Sequence, residues 1–186
     1  MIEGNGVIIE HKEDTSSNFE GTIIDIETSR GQFLNQYPDS RRYKDFQLVI
    51  FGFINRHSLE ILCAKGMRAI NELRERTEKI IVSLEKPFYA FNTDFERGVL
   101  FYELGREIDF ERELQEGRES KANARSYLGI SNYDDPFYDN GYLCMKAWDN
   151  GEFDRAIAHN RACLLKERDI LIKRGFRKSD ELKFIK

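Results

Sequence analysis

The sequence predicts an α/β fold, a mixed sheet flanked by helices, in a single domain spanning residues 1–186. Three observations predict it. Apolar, β-branched runs at 21–28, 46–54 and 58–64 follow one another as an antiparallel three-stranded meander would. A helical period and a further short apolar run come next, over 66–83 and 87–92, as a crossover to an added strand requires. From residue 120 onward the chain reads as helix. Only three prolines occur, with no repeat and no Pro/Gly-rich linker to divide the chain.

Each element has its own signal. Gly21-Thr-Ile-Ile-Asp-Ile-Glu-Thr28 is a buried central strand ending in acid. The polar stretch 32–44 is a loop, followed by the strands at 46–54 and 58–64. Met67, Ile70, Leu73, Ile80 and Ile81 recur with helical spacing within Gly66–Ser83. Pro87–Asn92 is a short strand, and Asp94–Leu104 a helix with an acidic first turn. After a short stretch near 108–114, helices are expected at 120–128, 140–148 and 152–174.

The chain is 40% apolar and 12% aromatic, enough to drive folding by burial. No run approaches the roughly 20 apolar residues of a membrane span, and the first residues lack a signal-peptide pattern. A cytoplasmic protein is expected. Cys63, Cys144 and Cys163 are odd in number and far apart, so reduced thiols are expected in place of a disulfide framework or zinc knuckle. Net charge is −4. From Arg161 to Lys186, however, nine Lys/Arg face four Asp/Glu, a balance of +5. Such a basic segment beside an acidic body could hold phosphate while carboxylates hold metal, or it could be a solvated terminal helix.

The chemistry-bearing residues fall in three places. Asp25-Ile-Glu27 sits on a strand, where residues two apart share a face, so both carboxylates project together. A divalent cation would relieve their repulsion; an edge strand ending in solvent would relieve it equally. Asn92-Thr-Asp94-Phe95-Glu96 lies where a strand hands over to a helix, at the sheet edge where α/β sites form. There Asp94 and Glu96 could instead serve as helix-capping acids. His159, Cys163 and Glu167 stand at i, i+4 and i+8 on one helix face. A zinc set could be drawn from them, as could ordinary packing.

In order, a strand bearing D-x-E-T, an N-x-x-F-acid turn and a late His-bearing helix resemble the DEDD superfamily of 3′–5′ exonucleases. The closer likeness is to its YprB-like, ribonuclease-H-like branch. The resemblance spans roughly Thr22 to Arg174, with Asp25-Ile-Glu27-Thr28 matching the first motif unchanged. Lys121–Ile130 resembles the helix ending in L-G-I, and Trp148-Asp-Asn-Gly151 the W-x-x-G before the last motif.

The resemblance implies a ribonuclease-H-like sheet, a meander plus parallel strands. It also implies a two-metal site for Mg²⁺ or Mn²⁺ acting on 3′ ends of single-stranded DNA or RNA. Asp25, Glu27, Glu96 and Glu167 would be metal ligands, and His159 would orient or deprotonate the attacking water. Thr28, Asn92 and Asn160 would contact nucleic acid. Two positions depart from the pattern: Glu96 replaces an Asp, and Cys163 stands where the last Asp is expected. A thiol is a poor ligand for Mg²⁺, and Glu167, one turn on, could substitute. Two readings are therefore expected: a metal-dependent nuclease, or a catalytically impaired nucleic-acid-binding domain. A third is an interaction module in which Asp25 and Glu27 are vestigial. Phe137, Tyr138, Tyr142 and Trp148 could stack bases or pack in the core.

Overall fold

The run Thr22–Ser29 forms β2, and all eight of its residues are buried, as a strand covered on both faces must be. The computed structural model describes residues 6–186. β2 lies in the middle of a seven-stranded sheet of order β1 (Ile8–Asp14), β4 (Ser58–Ala64), β3 (Gln47–Ile54), β2, β5 (Phe88–Ala90), β6 (Arg112–Glu113), β7 (Arg177–Lys178). β3 (Gln47–Ile54) and β4 (Ser58–Ala64) continue from β2 as the expected antiparallel meander. β5 (Phe88–Ala90) pairs parallel to β2, and β6 (Arg112–Glu113) parallel to β5.

Two edge strands complete the sheet. β1 (Ile8–Asp14) pairs antiparallel with β4, and β7 (Arg177–Lys178) antiparallel with β6. β1 was not expected. Its sequence, Ile-Ile-Glu-His-Lys-Glu-Asp, is mostly charged, which suits an edge that must not recruit other chains.

The helices are α1 (Ile70–Ser83), α2 (Thr93–Leu104), α3 (Lys121–Tyr127), α4 (Gly141–Asp149) and α5 (Phe153–Arg174). α1 packs on β3, β4 and α2, while α5 lies across β2, β3 and β4 with α4 beside it. No helix among the described residues is long and apolar enough to cross a membrane. The 32–44 loop holds a 3₁₀ turn, Ser40–Tyr43, whose Asp39 cap accepts from the Arg41 amide. Tyr43 fits there because Gly98 leaves room: a Cβ at residue 98 would lie 2.1 Å from its ring.

Five of the nine cations of the basic C-terminal segment are paired with acids, and Lys173, Lys178, Lys183 and Lys186 are exposed. Arg161 pairs with Glu13, Arg174 with Glu119, Arg177 with Glu113 and Asp180, and Arg168 with Asp169. Lys166 is fully buried between Asp135 and Asp139. Arg161, Lys166, Arg174 and Arg177 fasten α5 and the tail to acids of the rest of the fold. Phe137 and Trp148 are core residues, the latter donating its indole N–H to the Ala64 carbonyl at 2.8 Å. Tyr138 and Tyr142 are exposed.

Candidate metal centre

Register and helix placement build the site. Asp25 and Glu27 project from β2 just before a register shift between Glu27 and Thr28. Such an irregularity re-aims side chains at a sheet edge. Asp25 pairs with Gly52 on β3, and the missing side chain there makes room for Asn160 of α5. A Cβ at residue 52 would lie 2.0 Å from Asn160 Oδ1 and 3.0 Å from Leu164 Cδ1. Asn160 is fully buried and donates Nδ2–H to Asp25 twice, to Oδ2 at 2.7 Å and to the backbone oxygen at 3.1 Å. It orients the carboxylate and offers no surface to nucleic acid, a correction to its expected role.

Glu96 reaches the same place from the first turn of α2, where the Asn92 side chain caps the helix by accepting from the Phe95 amide. His159 and Cys163 come from α5. Asp25, Glu27, Glu96, His159 and Cys163 together line one cleft of about 590 Å³, with Phe33, Phe91, Asn92 and Phe95 among its other walls. Thr28 lines an adjoining apolar groove of about 400 Å³ with Phe46, Tyr142 and Met145. Asp94 stands aside, paired with Arg97.

Glu167 does not line the cleft. It is fully buried behind Lys121, whose Nζ lies 2.5 Å from Glu167 Oε1 and donates to Asp25 Oδ1 at 2.9 Å. Lys121 opens α3, just after the cap residue Ser120, and lines the cleft with its ammonium buried between the two acids. Its role was not legible in the sequence.

Nor was the support behind His159. Asp135 accepts from His159 Nδ1 at 2.7 Å and from Lys166 Nζ at 2.7 Å. Its two oxygens also take the backbone amides of Phe137 and Asp139. The loop around it holds Tyr133, Asp134, Tyr138 and Asp139 at positive φ, each strained by roughly 1–3 kcal/mol for a residue other than glycine. His159 Nε2 then faces Glu27 Oε1 at 3.5 Å and Cys163 Sγ at 3.7 Å.

The electrostatics describe a site short of positive charge. Burial pushes Glu27 up to about 7, although His159 opposes it. Burial, with Asp25 and Glu167 alongside, raises Glu96 well above the usual carboxylate range. Burial raises Glu167 likewise, against the pull of Lys121. Burial alone would deprotonate His159, but Cys163, Glu27 and Asp135 keep it charged, up to about 12. Among the described residues, Glu96 Oε2 has no hydrogen-bond partner, and the Lys121–Glu167 contact leaves both Glu167 oxygens without hydrogen-bond geometry. Buried carboxylate oxygens normally have partners, so these are groups that a cation would satisfy.

Among the described residues, three sets of ligand atoms lie mutually within 4.8 Å: Asp25–Glu27–Cys163, Glu27–Cys144–His159 and Asp135–His159–Cys163. Each could hold a metal ion. The first faces the cleft and carries the hardest donors, which suits a hard divalent ion.

Two results are expected from this geometry. Gly52→Ala should push Asn160 off Asp25, lowering thermal stability and weakening Mn²⁺ binding together; an unchanged Mn²⁺ isotherm would contradict the support assigned to Asn160. The second concerns pH. Glu27 titrates near 7 when folded against an ordinary 4.5, so the metal-free fold binds more protons than the unfolded chain between these values. Its stability should therefore fall as pH rises from about 4.5 to 7, and Mn²⁺, which must displace that proton, should bind more tightly over the same rise. Melts in EDTA and calorimetric titrations across this range check both signs.

No protein-family model, curated protein or solved structure matches the chain.

Proposed function

We propose that this protein is a divalent-metal-dependent nuclease with a ribonuclease-H-like fold, removing nucleotides from 3′ ends of single-stranded DNA or RNA. The observation that carries the reading is the meeting of Asp25, Glu27 and Glu96, from two separate elements, in one cleft with an unpartnered buried oxygen. The strand order supports it: an antiparallel meander extended by parallel strands from its first member is the arrangement that the DEDD resemblance implies.

Asp25, Glu27 and Glu96 would hold Mg²⁺ or Mn²⁺. A divalent ion there supplies a Lewis acid that activates water and offsets phosphate charge. Asn160 fixes the angle of Asp25 by two hydrogen bonds. Asp135 fixes the ring of His159, leaving Nε2 toward the cleft, where it can hold a water or a phosphate oxygen. Phe33, Phe91 and Phe95 offer apolar faces for unpaired bases, and the adjoining groove with Tyr142 extends them.

A second reading, a nucleic-acid-binding domain with impaired catalysis, is favoured by Cys163 standing where a carboxylate ligand is expected. Labelled single-stranded DNA and RNA, incubated with Mn²⁺ or Mg²⁺, separate the two. The nuclease reading expects metal-dependent mononucleotide release, lost on Asp25→Asn with the fold retained. Binding without cleavage supports the second reading. Activity undiminished in Asp25→Asn would exclude this cleft as the site.

A further inference from the structure

We propose that the Lys121 ammonium is a built-in cation of the site, standing where a second divalent ion would otherwise sit, so that the protein binds one divalent ion per chain. The inference rests on the metal-centre reading and specifies its composition.

The geometry begins at Asp25. A carboxylate that bridges two ions offers them free lone pairs of its oxygens, with the ions about 3.5–4 Å apart in two-metal sites. Here Oδ1 accepts from Lys121 Nζ at 2.9 Å and Oδ2 from Asn160 Nδ2 at 2.7 Å. One lone pair remains on each oxygen, enough for a ligand bond on the Glu27 side, but a second ion on the Glu167 side would meet the ammonium. The place beside Asp25 and Glu167 is thus already taken by positive charge.

Lys121 is held there. Its ammonium also lies 5.7 Å from the centre of the Phe91 ring, and its side chain is only 15% exposed. A loosely attached surface lysine would have no reason to enter a pocket this polar and this enclosed. Glu167 favours its retention: a neighbouring cation stabilises the ionised form of this fully buried acid against the burial that raises its pKa.

Charge counting agrees. Asp25, Glu27, Glu96 and Glu167 carry four negative charges when ionised. One divalent ion and Lys121 return three, and His159, between Glu27 and Asp135, returns the fourth. Two divalent ions plus Lys121 would overcharge the cleft before any phosphate entered it. The single ion then has Asp25, Glu27 and the Cys163 sulfur within reach, with Glu96 lining the same cleft as a further carboxylate ligand. Lys121 lines the cleft as well, so a phosphate bound to the ion would meet the ammonium in the position that a second metal would otherwise serve.

The test counts ions. Metal-free protein is titrated with Mn²⁺ and followed by calorimetry and by electron paramagnetic resonance. Wild type and Lys121→Arg are expected to bind one Mn²⁺ per chain, with a spectrum free of coupling to a second spin. Lys121→Met is expected to bind two, with spin coupling between them. If Lys121→Met fails to fold, the counts for wild type and Lys121→Arg decide alone. Two coupled ions in wild type would overturn this inference and leave the metal reading standing. A single ion of unchanged affinity in folded Lys121→Met would also overturn it. No Mn²⁺ bound by wild type would overturn the metal reading itself.

Discussion

Lys166→Met is expected to destabilise the fold by about 3–5 kcal/mol, the cost of breaking a buried ion pair by removing one partner. Lys166 is fully buried and donates to Asp135 Oδ2 at 2.7 Å and Asp139 Oδ1 at 2.6 Å. Methionine keeps the volume of the stem and leaves both carboxylates without their shared cation. Asp139 would retain Arg125, and Asp135 would retain His159, so the loss should not exceed this range. Denaturant melts of wild type, Lys166→Met and Lys166→Met/Asp139→Asn check the argument. The double variant, having shed one uncompensated charge, should recover part of the loss. A loss under about 1 kcal/mol, the range of surface pairs, would show that the network contributes little. The same variant reaches the candidate site, because Asp135 is what holds the His159 ring; a changed His159 imidazole resonance should accompany the lost stability.

How much of this was legible in the sequence depended on the range of the interaction concerned. Strands β2 to β4, helix α2 and the long α5 follow from patterning within each segment and lie within a residue or two of their expected limits, while α1 begins four residues later than expected, after a 3₁₀ turn at Met67–Ala69. Asp25 and Glu27 were legible because alternation alone puts them on one face. β1 was missed because a half-buried edge strand needs few apolar residues, so no apolar run marks it. Lys121, Asp135 and Lys166 were missed for a different reason. Their importance lies in pairs separated by 96, 24 and 31 positions along the chain, which no local pattern announces. The only local traces were the Ser120 cap before Lys121 and the Asp134-Asp135-Pro136 turn. The basic segment after Arg161 could be read only in part, because composition records charge without its partners, and most of its arginines face acids from the body of the fold.

The other large effect is expected at Cys163. Its sulfur lies within 4.8 Å of ligand oxygens of Asp25 and Glu27 and lines the cleft, so a carboxylate there would replace a soft donor with a hard one. Cys163→Asp should tighten Mn²⁺ binding at least about ten-fold, or about 1.4 kcal/mol, and Mg²⁺ binding by more, since sulfur suits Mg²⁺ less. In metal-free buffer the variant should melt below wild type, because burial already raises the pKa of Cys163 itself and another acid joins a crowded group. The loss should be moderate. His159 Nε2 stands 3.7 Å from the sulfur, and Lys121 is close enough to favour a negative charge at this position. Adding Mn²⁺ should lift the variant's melting temperature more than it lifts wild type, since the ion binds the folded form alone. Glu167→Gln is the companion control. With Glu167 engaged by Lys121 behind the cleft, that change should alter Mn²⁺ affinity far less than Asp25→Asn does. A severe loss on Glu167→Gln, with no gain from Cys163→Asp, would instead make Glu167 the direct ligand. A Cys163→Asp protein melting several kcal/mol below wild type and unrescued by Mn²⁺, as an unpartnered buried acid would, would remove Cys163 from the metal centre altogether.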